Sequence, residues 1–175
     1  MIRIAIAASM VLTVALSMES YGQHGFSRPL ESLQVNQGFG WRLHPLTGLP
    51  DFHNGTDLKA DFQPVFSIAA GRVLRVGANA ISGNFIIIRH GKLQSHYAHL
   101  SRVLISNQDS VFQGQLLGLS GNSGRTTGPH LHFALSYCGI KIDAMAFLKA
   151  LCPPDSPAFP VPSSVKTNLQ YKKIK

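Results

Sequence analysis

Acidic residues are scarce in this chain. Eight aspartates and glutamates stand against sixteen lysines and arginines in 175 residues, a formal net charge of +8 with histidine neutral. That excess favours polyanionic surroundings such as nucleic acid, anionic lipid or an acidic cell-wall polymer, and does not choose among them. Charged residues make up 14% and hydrophobic residues 45%, which excludes a disordered polyelectrolyte and fits a globular domain. Cysteine is scarcer still: Cys138 and Cys152 are the only two. Their spacing excludes a Cys-x-x-Cys thiolate zinc site or thioredoxin-like redox pair, so any metal has to be held by histidine and carboxylate. In an exported chain they permit one disulfide, and two isolated thiols are the alternative. No uninterrupted apolar run reaches the ~20 residues that span a bilayer. No internal repeat and no long amphipathic helix interrupts the middle of the chain. The length suits one domain with short appendages rather than two large cores.

What is present begins with Arg3 ahead of the apolar run Ile4 to Leu16, followed by small and polar residues, the order of a secretory signal. Residues 1–22 read as that signal, with cleavage after Ser17 or Gly22, or as a short anchor. An exported protein is expected, periplasmic, extracellular or associated with the cell wall. A polar lead over 23–35 precedes a core over 36–151. The short region before Gly38 leaves little room for an inhibitory pro-segment. The tail over 152–175 carries Pro153, Pro154, Pro157, Pro160 and Pro162, then Lys166, Lys172, Lys173 and Lys175, which resists helix and sheet. It is either a peripheral contact for an anionic envelope surface or a solubilising end.

The core is expected to be mainly β. Val65 to Ile68, Gly71 to Val76, Asn84 to His90, Ser95 to His99 and His130 to Leu135 are short runs bounded by Gly, Asn, Ser or Pro. The apolar Ile86, Ile87 and Ile88 suit a central strand. Asp143 to Leu151 is expected to form one short packing helix.

The chemistry lies in the histidines. In His53-Asn54-Gly55-Thr56-Asp57, the imidazole and carboxylate are four apart and can converge on either a strand or a turn; Gly55 argues against the helix of His-Glu-x-x-His proteases. Taken alone, an ordinary polar turn explains the pair. In Gly128-Pro129-His130-Leu131-His132-Phe133, strand alternation points both imidazoles one way and Leu131 and Phe133 into the core. Two such imidazoles are metal ligands, a ligand beside an acid–base group, or a solvated strand face. In His96-Tyr97-Ala98-His99-Leu100, the same alternation puts Tyr97 with His99 and His96 with Ala98 on the other face. Gly118, Gly121 and Gly124 mark turns or close backbone approaches, and no strand–helix pattern surrounds them to make a phosphate cradle. Asn122, Ser123, Arg125 and Thr126 between them are substrate contacts or solvated turn residues.

Together these segments resemble the lysostaphin-like, or LytM-type, peptidoglycan metallopeptidases. The resemblance runs from Gly38-Phe39-Gly40-Trp41-Arg42-Leu43-His44-Pro45 through His53-x-Gly55-x-Asp57, Ala70-Gly71-x-Val73, Tyr97-x-His99-Leu100 and Gly118-x-x-Gly121-x-x-Gly124 to Thr127-Gly128-Pro129-His130-Leu131-His132-Phe133. It implies a single antiparallel β domain, sandwich or barrel-like, of the duplicated hybrid motif type, with an open groove. It makes His53, Asp57 and His132 ligands of Zn2+, and His99 and His130 the catalytic pair beside the metal, with their individual roles undivided. Two imidazoles and one carboxylate leave the dication a Lewis acid. The implied activity is hydrolysis of peptide cross-links in peptidoglycan, D-Ala-containing links first and glycine bridges second, by a monomer. Tyr97 either supports an oxyanion or is a buried aromatic whose hydroxyl reaches solvent, and Arg42 and His44 line the cleft or order the loop before His53. The family usually has an acidic residue where this chain has Ala134. The rival reading is a zinc-free relative that binds wall or activates another hydrolase; a nucleic-acid role has no motif behind it.

Overall fold

The computed structural model describes residues 25–43 and 48–152; the signal segment, His44 and the proline-rich tail beyond Cys152 lie outside the described residues. Thirteen strands and one helix follow in the order β1 Val35–Gln37, β2 Gly40–Leu43, β3 Pro50–His53, β4 Thr56–Lys59, β5 Pro64–Phe66, β6 Gly71–Asn79, β7 Gly83–His90, β8 Leu93–Leu100, β9 Arg102–Val103, β10 Ser110–Val111, β11 Leu116–Leu119, β12 His130–Tyr137, β13 Ile140–Ile142 and α1 Ala144–Leu151. Eight strands form one antiparallel sheet in the order β1-β4-β12-β8-β7-β6-β10, with β13 added to β12. A three-stranded sheet, β5-β11-β9, and the β2–β3 hairpin complete it. The expected antiparallel β fold is present; the main sheet is open, with edge strands β1 and β10, rather than closed into a barrel.

Alternation builds the core. Leu131, Phe133 and Leu135 of β12, Tyr97 of β8, and Ile86 and Ile88 of β7 are fully buried, joined by Val65 and Leu117 from the smaller sheet. Each such side chain contributes about 1.5–3 kcal/mol through burial. The isoleucine run sits on β7, an interior strand between β6 and β8, as its continuous apolarity suggested. Asp143 lies just outside α1 as its N-cap, its carboxylate accepting from the N–H groups of Met145 and Ala146 at 2.9 and 3.1 Å. The helix buries Ala144, Phe147 and Leu148, and Phe26 packs edge-on against Phe147 at 5.0 Å. Phe26 and the fully buried Leu30, from the stretch read as a polar lead, thus belong to the packed unit. Cys138 is exposed and Cys152 buried, and both are free thiols, so the permitted disulfide is not formed.

One departure from alternation matters for the site. Asn84 pairs with Leu100 and Ile86 with Tyr97, so Ala98 and His99 together oppose Phe85 in a β-bulge, and His99 has φ +62°. A left-handed backbone is costly for a residue with a Cβ and persists where surrounding structure enforces it. Here the His99 N–H donates to the Ser82 carbonyl at 2.8 Å. His99 therefore does not share the face of Tyr97, contrary to the simple alternation expected from the sequence.

His90, at the end of β7, is buried, with Nδ1 donating to the Ala70 carbonyl at 2.9 Å and Nε2 accepting from the Ser95 hydroxyl at 2.8 Å. Burial lowers its pKa, and the Ala70 hydrogen bond offsets only part of that. A histidine held neutral in the fold takes up its proton more readily when unfolded, so stability falls as pH drops below the unfolded value of about 6.5. The denaturation midpoint is expected to fall between about pH 7.5 and about pH 5.5, with a shallower slope in His90→Gln. Equal slopes for the two proteins would refute this linkage.

Candidate metal centre

Three elements deliver the central cluster. His53 ends β3, Asp57 follows the Asn54–Gly55 turn on β4, and His132 lies on β12, paired directly with Asp57 across the sheet. Asp57 Oδ1 lies 2.8 Å from His132 Nδ1 and 3.2 Å from His53 Nε2, and those two nitrogens are 3.2 Å apart. His130, two residues before His132 on the same face, brings Nε2 to 3.7 Å from the same oxygen. The His99 ring centroid is 4.7 Å from that of His130 and 5.9 Å from that of His132. The structure thus brings the four sequence-selected histidines together about the Asp57 carboxylate.

Hydrogen bonds fix which nitrogens face inward. His53 Nδ1 donates to the Gly38 carbonyl at 2.8 Å, His99 Nδ1 to the Ser123 carbonyl at 2.9 Å and His130 Nδ1 to the Gly128 carbonyl at 2.8 Å. In its neutral form each of these rings presents Nε2 as a lone pair. The His53 lone pair points at Asp57 Oδ1 and His132 Nδ1, an arrangement of electron-rich atoms that a proton or a cation must reconcile. Two imidazoles, one carboxylate and donor separations of 2.8 to 3.2 Å, a little inside the ~3.3–3.6 Å implied by tetrahedral bonds of about 2.0–2.2 Å, fit a divalent metal such as zinc. His53, Asp57 and His132 are the one group of such donors close enough to hold an ion among the described residues.

Electrostatics agree. Burial pushes Asp57 up, but its close side-chain contacts with His132 and His53 outweigh it, holding the carboxyl well below the usual carboxylate range. Asp57 is an anion at any physiological pH. His99 is lowered, first by burial, and the charges of His130 and His132 act in the same sense, while the Ser123 carbonyl opposes them. It stands neutral and able to accept a proton.

Several contributors were not legible as such in the sequence. Ser123, read as a substrate contact or a solvated turn residue, is a support: its carbonyl orients His99, and its hydroxyl donates to Leu100 O at 2.7 Å and accepts from Asn84 N at 3.0 Å. Thr126 donates to Asn122 within the same loop. His96 lies on the site face, where its pairing opposite Ala134 places it. Its ring is 6.2 Å from that of His132, and burial, followed by the charges of His132, Lys141 and His99, pushes it down to about 4. Tyr97 is fully buried, and its hydroxyl accepts from the Ile68 N–H at 3.1 Å, so neither an oxyanion contact nor a solvent-reaching hydroxyl fits its position. Burial pushes its pKa up to about 12. Arg42 pairs across the β2–β3 hairpin with Asp51, on the His53 face. Of the glycines, Gly124 is left-handed at φ +77°, whereas a Cβ on Gly118 would sit 2.2 Å from Arg102 O and one on Gly121 2.6 Å from Ser101 Cβ.

A chain with this sheet and this cluster has the form of a metallopeptidase domain, and comparison with known proteins agrees. Residues 51–144, which include all five site residues, match Peptidase family M23, and the chain belongs to that family. It is 42% identical over 106 residues to the peptidoglycan DD-endopeptidase ShyA of Vibrio cholerae, covering 59% of this chain and 25% of that protein. It is 37% identical over 112 residues to the DD-carboxypeptidase/endopeptidase Mpg of Neisseria meningitidis, covering 62% and 26%. The chain therefore spans about a quarter of the length of these curated relatives. Among solved structures it resembles a zinc-containing peptidase from Vibrio cholerae, with TM-score 0.64, 36% identity and coverage of 69% of this chain and 39% of that one. It also resembles the catalytic domain of the antimicrobial peptidase lysostaphin from Staphylococcus simulans, with TM-score 0.60, 30% identity and coverage of 67% and 92%.

Gly55 is needed for space rather than for a special backbone angle: a Cβ there would lie 2.6 Å from His132 Nε2 and 3.0 Å from Ala134 Cβ. Gly55→Ala is expected to push the His132 ring and weaken metal binding by roughly 10–100-fold, the range for disturbed ligand support. Competition with a fluorescent chelator measures it; unchanged affinity in a folded variant would refute the packing constraint.

Proposed function

We propose that this chain is a zinc-dependent endopeptidase that hydrolyses peptide cross-links of bacterial peptidoglycan. The observation that carries the reading is the convergence of His53 Nε2, Asp57 Oδ1 and His132 Nδ1 within 3.2 Å of one another, beside two further imidazoles with free Nε2 lone pairs. The family and the DD-endopeptidase relatives supply the substrate class. D-Ala-containing cross-links come first on that basis, ahead of glycine bridges.

His53, Asp57 and His132 would hold the ion, which when bound supplies Lewis acidity and a water ionisable near neutral pH. The remaining work falls to the chain. The backbone carbonyls of Gly38, Ser123 and Gly128 hold three imidazoles in the tautomer that keeps Nε2 free. His99, kept neutral by burial, is suited to take a proton from the attacking water. The protonated imidazole then donates to the leaving amine, so that proton gain and loss balance over the cycle. His130, nearer the carboxylate, can donate to the oxyanion when protonated. The site residues are between 7% and 15% exposed, wet enough for an extended peptide to reach them. This substrate lies outside the cytoplasm, in keeping with the signal reading of residues 1–22; the basic tail over 152–175 is assigned to peripheral contact with the envelope.

Purified peptidoglycan is to be digested by the zinc-loaded protein, by the chelated protein, and by His132→Ala and His130→Ala, with products resolved by mass. Chelator-sensitive peptide cleavage is expected. His132→Ala should lose both bound zinc and activity, and His130→Ala should lose activity by about 10²–10⁴-fold while keeping the ion. Absence of cleavage on several wall types despite stoichiometric zinc would overturn the enzyme reading in favour of a wall-binding or hydrolase-activating module.

A further inference from the structure

The β2–β3 hairpin has its polarity reversed. Cross-strand partners share a face, so Gly40 with His53 and Arg42 with Asp51 form one side, which carries the buried His53. Trp41 with Phe52 and Leu43 with Pro50 form the other, and that side faces solvent: Trp41 is 77% exposed, Leu43 69% and Phe52 41%. Leu49, before Pro50, is 65% exposed. Trp41 is braced by Phe52 at 5.5 Å and 74°, and Phe52 by Phe39 at 5.2 Å and 83°, edge-to-face contacts that hold an aromatic shelf in place. A contiguous exposed patch of this kind marks a binding surface.

We propose that this shelf is a saccharide subsite, on which Trp41 stacks against a pyranose ring of the glycan strand that carries the peptide to be cut. The inference rests on the peptidoglycan reading above. Continuity with the metal centre supports it: the Trp41–Phe52 pair is the next rung of the hairpin after Gly40–His53 and lies on its opposite face, so the shelf is carried by the same two strands that carry a candidate ligand. Chemistry selects the occupant. The shelf residues Phe39, Trp41, Leu43, Leu49, Pro50 and Phe52 carry no charge. An anionic lipid surface or a nucleic-acid backbone calls for lysines and arginines interleaved with the aromatics. A pyranose presents a neutral face of polarised C–H groups, which suits the electron-rich face of an indole. A peptide held at the centre has to bring its sugar to a neighbouring surface, and the hairpin that carries His53 offers one.

Trp41 is the only tryptophan in the chain, so intrinsic emission reports this shelf alone. The full chain is titrated with a β-1,4-linked N-acetylglucosamine tetramer lacking any peptide, with and without chelator. A saturable blue shift is expected in both cases, because stacking does not use the metal. In turnover, Trp41→Ala should lower the ratio of kcat/KM on intact peptidoglycan to kcat/KM on a sugar-free cross-linked peptide by about ten-fold, chiefly through KM, and Trp41→Phe should recover most of it. An emission unmoved by the tetramer, or an unchanged ratio in Trp41→Ala, overturns the proposal. An emission shift with anionic phospholipid vesicles but not with the tetramer would overturn it in favour of a lipid surface, and a shift that follows protein concentration in favour of a second copy. The emission experiment reads the saccharide whether or not any bond is cut, so failure of the peptidase reading and failure of the shelf give different results.

Discussion

The carboxylate of Asp57 sets the geometry of everything around it. Its Oδ1 is approached by imidazole nitrogens of His132, His53 and His130 at 2.8, 3.2 and 3.7 Å, in a partly buried position where an uncompensated charge is costly. Those contacts hold the carboxyl ionised despite burial. Inward-facing lone pairs beside a fixed anion form a pocket of negative potential, the setting in which a divalent cation replaces protons as the compensating charge. The sheet exists around this point in a literal sense, since Asp57 and His132 are direct partners in the β4–β12 ladder.

The same ladder explains why the surrounding imidazoles are so well oriented. β12 supplies His130 and His132 on one face and Leu131 and Phe133 on the other, so the packing that buries the apolar pair also aims the polar pair. Backbone carbonyls of Gly38, Ser123 and Gly128 then hold three rings by their outer nitrogens, an arrangement that fixes orientation at no cost in side-chain entropy on the acceptor side. The loop carrying Ser123 is itself tied down where His130 N donates to Gly121 O at 3.0 Å, which links the support of one imidazole to the strand that bears another.

The β2–β3 hairpin joins this centre to solvent. One of its faces carries His53 inward while the other presents Trp41 and Phe52 outward. The rigid pleat means that neither face can shift independently. Under the proposed saccharide reading, a sugar stacked on the outer face would be carried by the same two strands as His53.

Much of this was legible in the chain. The turn chemistry and apolar runs marked five of the thirteen strands and the one helix found among the described residues, and the placement of Leu131 and Phe133 opposite His130 and His132 follows from a period of two. The scarcity of cysteine already limited metal ligands to histidine and carboxylate. Short edge strands such as β1, β9 and β10 carry too few residues to show a period. The packing of Phe26 and Leu30 into the core depends on contacts distant in sequence. Tyr97 and His99 show the limit most plainly: alternation assigns them one face, whereas a bulge and a left-handed backbone at His99 separate them, burying Tyr97 and turning His99 to the site. Residue identity and spacing determined which groups could act and the side of each strand they occupy. Only tertiary structure decided which of those sides meet, because the convergence of β3, β4, β8 and β12, the carbonyls that fix each imidazole, and the exposure of Trp41 depend on pairing between segments that local sequence does not encode.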